Sequence, residues 1–121
     1  MKAVEMARQL AKSLAESDEY RNYKKAKEKL EEHEAAKTML EDFRKKEWEL
    51  ERKKLSGEKI LGPLEDELKK LAGIIGLNPY VRDFLMAEYQ FSQIYMEVQQ
   101  IIGEAVGLKM PENEAPRPGQ S

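Results

Sequence analysis

Apolar residues recur every three or four positions along most of the chain, and breaks in that rhythm divide it into five helices. The first spans residues 2–16 and lines up Val4, Ala7, Leu10, Ala11 and Leu14. Ser17 and Asp18 carry the short oxygen-bearing side chains that start a helix. The second helix, residues 18–32, follows with a narrow stripe of Tyr20, Tyr23, Ala26 and Leu30. Around His33 the register slips, which predicts a turn. The third helix, residues 34–55, sets Ala36, Phe43 and Leu50 seven residues apart with Leu40 beside them, while Trp48 and Leu55 begin a second, weaker stripe. So thin a seam suits a helix packed on one neighbour and wetted elsewhere. The second and third helices are therefore expected to pair as a charged antiparallel hairpin arm, about 33 Å long at roughly 1.5 Å per residue.

"SGEKILGP", residues 56–63, is the main break, with Ser56, Gly57, Gly62 and Pro63 as stop and start signals. Beyond it Leu61, Leu64, Leu68, Leu71 and Ile75 step 3-4-3-4, a clean heptad seam over residues 62–75. Gly76 is read as the residue that ends this helix in a left-handed conformation. Asn78 then caps the fifth helix, residues 79–106, with Pro79 at a first position that needs no amide partner. Val81, Phe84, Phe91, Tyr95, Val98, Ile102 and Ala105 form one continuous stripe, widened by Leu85, Ile94 and Ile101 and by a third row of Met86, Tyr89 and Met96. A helix apolar over so much of its circumference is a central one, covered on two or more sides. Its expected cover is the fourth helix, the first helix and a second copy of the chain, so that Phe84, Glu88, Phe91, Tyr95 and Val98 form a self-association surface. Glu88 is the single carboxylate in the stripe and must reach a donor; Arg82 lies six residues away, so the donor is expected from another helix.

The reading is an all-α protein, a five-helix bundle with a charged hairpin arm and a long central C-terminal helix. Residues 1–106 form one helical domain, as expected for 121 residues. Residues 107–121, with three prolines, two glycines and little to bury, read as a disordered tail.

Charge changes the picture by what it excludes. Twenty-one basic residues face twenty-three acidic ones, a formal net charge of −2. Between Glu16 and Lys54 twelve basic and twelve acidic residues interleave, the pattern of a solvated, ion-paired helix surface. The basic triplets at 44–46 and 52–54, with Lys24, Lys25, Lys27 and Lys29, could touch phosphates, but carboxylates share their surface, and direct nucleic-acid binding is not expected. Tyr20, Tyr23 and Trp48 stand on otherwise charged helices, where aromatics mark either a partner-binding surface or the packing of the hairpin itself.

The inventory for catalysis is thin. The chain has no cysteine and one histidine. That removes thiolate metal sites and nucleophiles, and with Leu30 three places before His33 a paired-carboxylate di-iron site has too few ligands. No phosphate-cradling glycine loop occurs. His33 reads as a solvated turn residue. No enzymatic activity, metal or organic cofactor is expected. The amphipathic N-terminus lacks a secretory pattern and no apolar run is long enough to span a bilayer, so the reading is cytoplasmic, without membrane insertion.

The order of features completes the reading. Ser17 with Tyr20 and Tyr23, the segment from Glu34-Ala35-Ala36 to Leu40 and Phe43, the break at "SGEKI", and Ala87-Glu88 after Val81 together resemble the YlbF/YmcA family over about residues 3 to 105. The resemblance implies an all-helical, dimeric or tetrameric cytoplasmic regulator without catalytic activity. Its relatives act in competence, biofilm formation and sporulation, in complexes that adjust an endoribonuclease and so affect messenger RNA processing. Its implied partners are therefore itself, family-like regulatory proteins and an endoribonuclease. Some such complexes hold iron–sulfur clusters through cysteines, a property that a chain with no cysteine does not inherit. Two other readings stand beside this adaptor: a structural or chaperone-like helical oligomer, and a weak RNA binder.

Overall fold

A computed structural model of the chain describes residues 1–58 and 62–108. Their helices are α1 (Lys2–Ala15), α2 (Asp18–Glu31), α3 (Glu34–Leu55), α4 (Gly62–Ile75) and α5 (Pro79–Val106). The described residues contain no strand, and the fold is all-α. Each boundary falls within one residue of the one read from the sequence. Leu61 of the heptad seam and most of the expected tail, 109–121, lie outside the described residues.

The boundaries follow from local chemistry. Ser17 Oγ accepts the backbone N–H of Tyr20 at 3.2 Å and donates to the Leu14 carbonyl at 2.7 Å, so one hydroxyl closes α1 and opens α2. Asn78 Oδ1 accepts the N–H groups of Tyr80 and Val81 at 2.9 and 3.2 Å, satisfying two of the orphan donors of α5. α3 ends at Gly57, whose φ of +86° is reached without strain only by glycine. There the Glu58 N–H returns to Lys53 O and the Gly57 N–H to Lys54 O, the paired bonds of a Schellman motif. Gly107, at φ +73°, ends α5 in the same way through Leu108 N–H to Gly103 O at 2.9 Å. Gly76 does not take this role. Its φ is not positive. α4 instead runs out through short turns, Leu77 N–H to Ile74 O and Asn78 N–H to Ile75 O, which lead straight into the Asn78 cap.

The chain groups into two compact units. One comprises Met1–Lys27 and the chain from Phe84 onward. Its packing centre is aromatic: Tyr20 and Tyr23 of α2 lie against Phe84 and Phe91 of α5. Ring centroids are 5.2 Å apart for Tyr20–Phe91, 5.6 Å for Tyr23–Phe84 and 5.9 Å for Tyr23–Phe91. Phe84 and Ala87 are buried. Within this unit the rings against α5 thus come from α2, a partner helix that the sequence reading did not name. α1 buries none of its residues.

The other unit is Glu28–Asp83. Here α4 lies along α3, with Leu50 and Leu68 enclosed and Phe43 and Leu64 packed against them, and Lys46 Nζ meets Glu67 Oε1 at 3.3 Å. The helical hairpin is therefore α3–α4 rather than the expected pairing of the second and third helices. The reason is complementarity: the thin Phe43–Leu50 seam is filled by the leucine row of α4, whereas the stripe of α2 is aromatic and finds aromatic partners on α5. Leu30, Ala36, Leu40, Ile75 and Val81 are also buried in this unit, and Val81, at 0% exposure, is its most enclosed side chain.

Candidate interaction surfaces

The residues singled out as partner-binding separate into two groups. Tyr20 and Tyr23 are half-buried, their rings engaged with Phe84 and Phe91. They are packing residues of their unit. Trp48 is 66% exposed. The guanidinium of Arg52, one turn on, lies 5.2 Å from the centre of its ring, a cation–π contact on an open helix face. Around them is a shallow depression of about 560 Å³, lined by Glu41, Arg44, Lys45, Trp48, Glu49 and Arg52.

The self-association residues also divide. Phe84 is buried within its own unit and Phe91 is half-buried. Glu88 is half-buried and is not without an interaction in the structure. Val98 is half-buried. Tyr95, at 49%, is open to solvent. What the sequence reading missed lies beyond these positions. On α5, Met96, Ile101, Ile102 and Val106 are exposed, as are Val4, Met6 and Leu10 on α1. The stripe of α5 is enclosed at its start and, apart from the half-buried Val98, open from Tyr95 onward. Its continuous 3-4 spacing gave no sign of where cover would end, because periodicity reports which face is apolar, not what lies opposite.

Two further polar features came without a sequence signal. The imidazole of His33, expected in solvent, is half-buried and stacked on Tyr80 with centroids 3.6 Å apart; its Nδ1 is 2.8 Å from Lys29 O. Gln93 Nε2 is buried with no hydrogen-bond partner among the described residues. Among the described residues no three His, Asp or Glu side chains converge as metal ligands, and no helix is long and apolar enough to cross a membrane.

A sequence model of the family described as "Control of competence regulator ComK, YlbF/YmcA" matches residues 3–107. The chain belongs to the YlbF/YmcA family. Several relatives carry the name "UPF0342 protein". The one from Caldicellulosiruptor saccharolyticus is 41% identical over 105 residues, covering 87% of this chain and 88% of the relative. That from Desulfitobacterium hafniense is 39% identical over 106 residues, covering 88% and 86%. The Halothermothrix orenii relative is 32% identical over 114 residues, 94% of this chain and 97% of its own length. No solved structure matches the chain. The YlbF/YmcA match spans all five helices, including the segments with the open rows of α1 and α5 and the Trp48 face of α3.

Proposed function

We propose that this YlbF/YmcA chain is a non-enzymatic adaptor, one that assembles with copies of itself and with other regulatory proteins in the cytoplasm. Through such assemblies it would adjust ribonuclease-dependent RNA processing and the developmental programmes of competence, biofilm formation and sporulation. The observation that carries the reading is the amount of apolar side chain left uncovered. Tyr95, Met96, Ile101 and Ile102 on α5, with Val4, Met6 and Leu10 on α1, are exposed within a single unit. Contiguous apolar patches on soluble proteins mark association surfaces, and a two-fold pairing covers the same patch on both copies with one interface. Family membership supports the regulatory half of the reading.

The test is affinity purification of the tagged chain from its own cells, together with light scattering on the purified protein. Recovery of a defined set of regulatory proteins and a ribonuclease, with a particle mass at least twice 14.0 kDa, is the expected result. A self-associated particle that brings down no defined partner would instead favour a structural or chaperone-like oligomer. A 14.0 kDa particle with no partners would overturn the reading.

A further inference from the structure

The outer face of α3 carries a feature that neither the helical core nor the apolar surface of α1 and α5 uses. Trp48 and Leu55 are 66% and 88% exposed and seven residues apart. Seven residues are close to two turns, so the two side chains share one stripe about 10.5 Å long. That is the spacing at which a second helix inserts successive apolar side chains. The stripe lies off the seam of Phe43 and Leu50 that α4 fills, so α3 leaves it uncovered by the helix that packs along it.

The charge lining the depression beside this stripe is positive by one, three cations against two carboxylates. Residues 44–55 hold six basic side chains, in the triplets 44–46 and 52–54, against three acidic ones, Glu47, Glu49 and Glu51. Lys46 is committed to Glu67 and Lys53 to Glu49, each at 3.3 Å. Lys45 and Arg52 line the depression beside Trp48, together with Arg44 and the carboxylates of Glu41 and Glu49, the latter held by Lys53. Arg52 is also the group held over the indole. Its guanidinium thus covers part of the ring while its remaining N–H groups can meet a carboxylate.

We propose that this face is a docking site for an acidic amphipathic helix of a partner protein. Two apolar side chains of that helix, one heptad apart, seat against Trp48 and Leu55, and flanking carboxylates meet Lys45 and Arg52. Buried aromatic anchors with adjoining arginines are the side chains that dominate protein interfaces, and the positive rim selects an acidic partner over a neutral or basic one. A single-stranded nucleic acid could also stack on Trp48, but its evenly spaced phosphates would run past Glu41, Glu49 and Glu51 as well as past the cations. A helix can set its acidic side chains against the cations alone. The inference rests on the adaptor reading and adds the chemistry of one partner to it.

The chain has one tryptophan, so its fluorescence reports this surface directly. The probes are a synthetic helical peptide with two leucines one heptad apart flanked by glutamates, the same peptide with lysines in their place, and a twelve-residue oligouridylate. The glutamate peptide is expected to shift Trp48 emission to the blue and shield it from acrylamide, with binding that weakens as salt rises. The double variant Lys45→Glu with Arg52→Glu, whose helical circular dichroism should match the wild type because both side chains are on an open face, is expected to bind it about tenfold more weakly. A Trp48→Ala chain should lose labelled-peptide anisotropy by a similar factor. Equal binding of the two peptides, or none, overturns the proposal. So does preferential shielding by the oligouridylate, which would make the face a nucleic-acid surface, or shielding in the free protein that vanishes on dilution, which would give the face to a second copy. A tagged double variant that retains every wild-type partner sinks the Trp48 site alone, whereas a wild-type chain with no partners sinks the adaptor reading itself.

Discussion

The imidazole of His33 lies flat on the phenol ring of Tyr80, with centroids 3.6 Å apart and planes 18° from parallel. The same imidazole reaches back to the Lys29 carbonyl at 2.8 Å, one of the unpaired acceptors at the end of α2. A single residue at the α2–α3 turn therefore ties the end of one helix to the first turn of α5, inside the 28–83 unit. Tyr80→Ala removes the stack and should lower stability by about 0.5–1.5 kcal/mol from ring contact, beyond what simple burial contributes. His33→Ala should cost a similar amount, and the double variant less than the sum of the two. Urea denaturation followed by circular dichroism checks this; strict additivity would show that the stack contributes nothing.

The start of α5 depends on one amide oxygen. Asn78 Oδ1 holds two backbone N–H groups of the first turn. Asn78→Ala should destabilise the protein by about 1 kcal/mol, and Asn78→Asp, which keeps an acceptor and adds charge at the positive end of the helix, should be neutral or slightly stabilising. Thermal melts of the two variants decide it. Equal losses would mean that the side chain matters for packing rather than for capping.

How far the sequence could be read depends on the range of the interaction involved. Caps at Ser17 and Asn78 and the stop at Gly57 are local chemistry, settled within three or four residues, and they were legible. The partner of each helix was not. The stripe of α2 says that one face is apolar, but only three-dimensional matching shows that Tyr20 and Tyr23 fit Phe84 and Phe91 while Phe43 and Leu50 fit Leu64 and Leu68. Gly76 takes no left-handed conformation because α4 runs out through the turns from Leu77 and Asn78 back to Ile74 and Ile75, which lead directly into the Asn78 cap of α5. The neighbours of Trp48 at three and four residues are all charged, but that left both an open face and packing in the hairpin possible, and neither its exposure nor the position of Arg52 over its ring could be read from the spacing.

Gly103 and Gly107 fix the end of α5 together. A Cβ added at Gly103 would come within 2.6 Å of the Leu108 carbonyl oxygen, a backbone atom with little room to move, and Gly107 sits at positive φ. Gly107→Ala should cost about 1 kcal/mol or slightly more. Gly103→Ala should open the Schellman turn, so that the amide protons of Gly107 and Leu108 exchange with solvent much faster than in the wild type. Unchanged protection at both amides would show that the turn adjusts freely.

The buried amide of Gln93 offers a test of opposite sign. Its Nε2 has no acceptor among the described residues, and an unmet buried donor costs about 1–3 kcal/mol. Gln93→Leu, close in size and without the donor, should raise the melting temperature, while Gln93→Ala should lower it through lost packing. A Leu variant less stable than the wild type would show that the amide is satisfied after all.

Two rows of α5 should respond differently to a charge, and that difference bears on self-association. Phe91 stacks on Tyr20 and Tyr23, so Phe91→Glu places a carboxylate among rings of its own unit and should unfold the chain rather than merely dissociate it. Ile101 is 60% exposed and touches the core little. Ile101→Glu should leave the helical circular dichroism signal intact while converting an oligomer into a 14.0 kDa particle by light scattering. The argument is energetic: a partly exposed isoleucine adds little to the fold of a lone chain, but covering it in an interface contributes up to roughly 1.5–3 kcal/mol, and replacing it by a charge adds desolvation on top. Tyr95→Glu and Ile102→Glu should behave like Ile101→Glu, since both side chains are also open. If Ile101→Glu unfolds the protein, the open row is covered from within the chain. If it leaves an oligomer unchanged at tens of micromolar, the copies meet through a different surface, and the exposed rows of α1, with Val4→Glu and Leu10→Glu, become the next positions to charge.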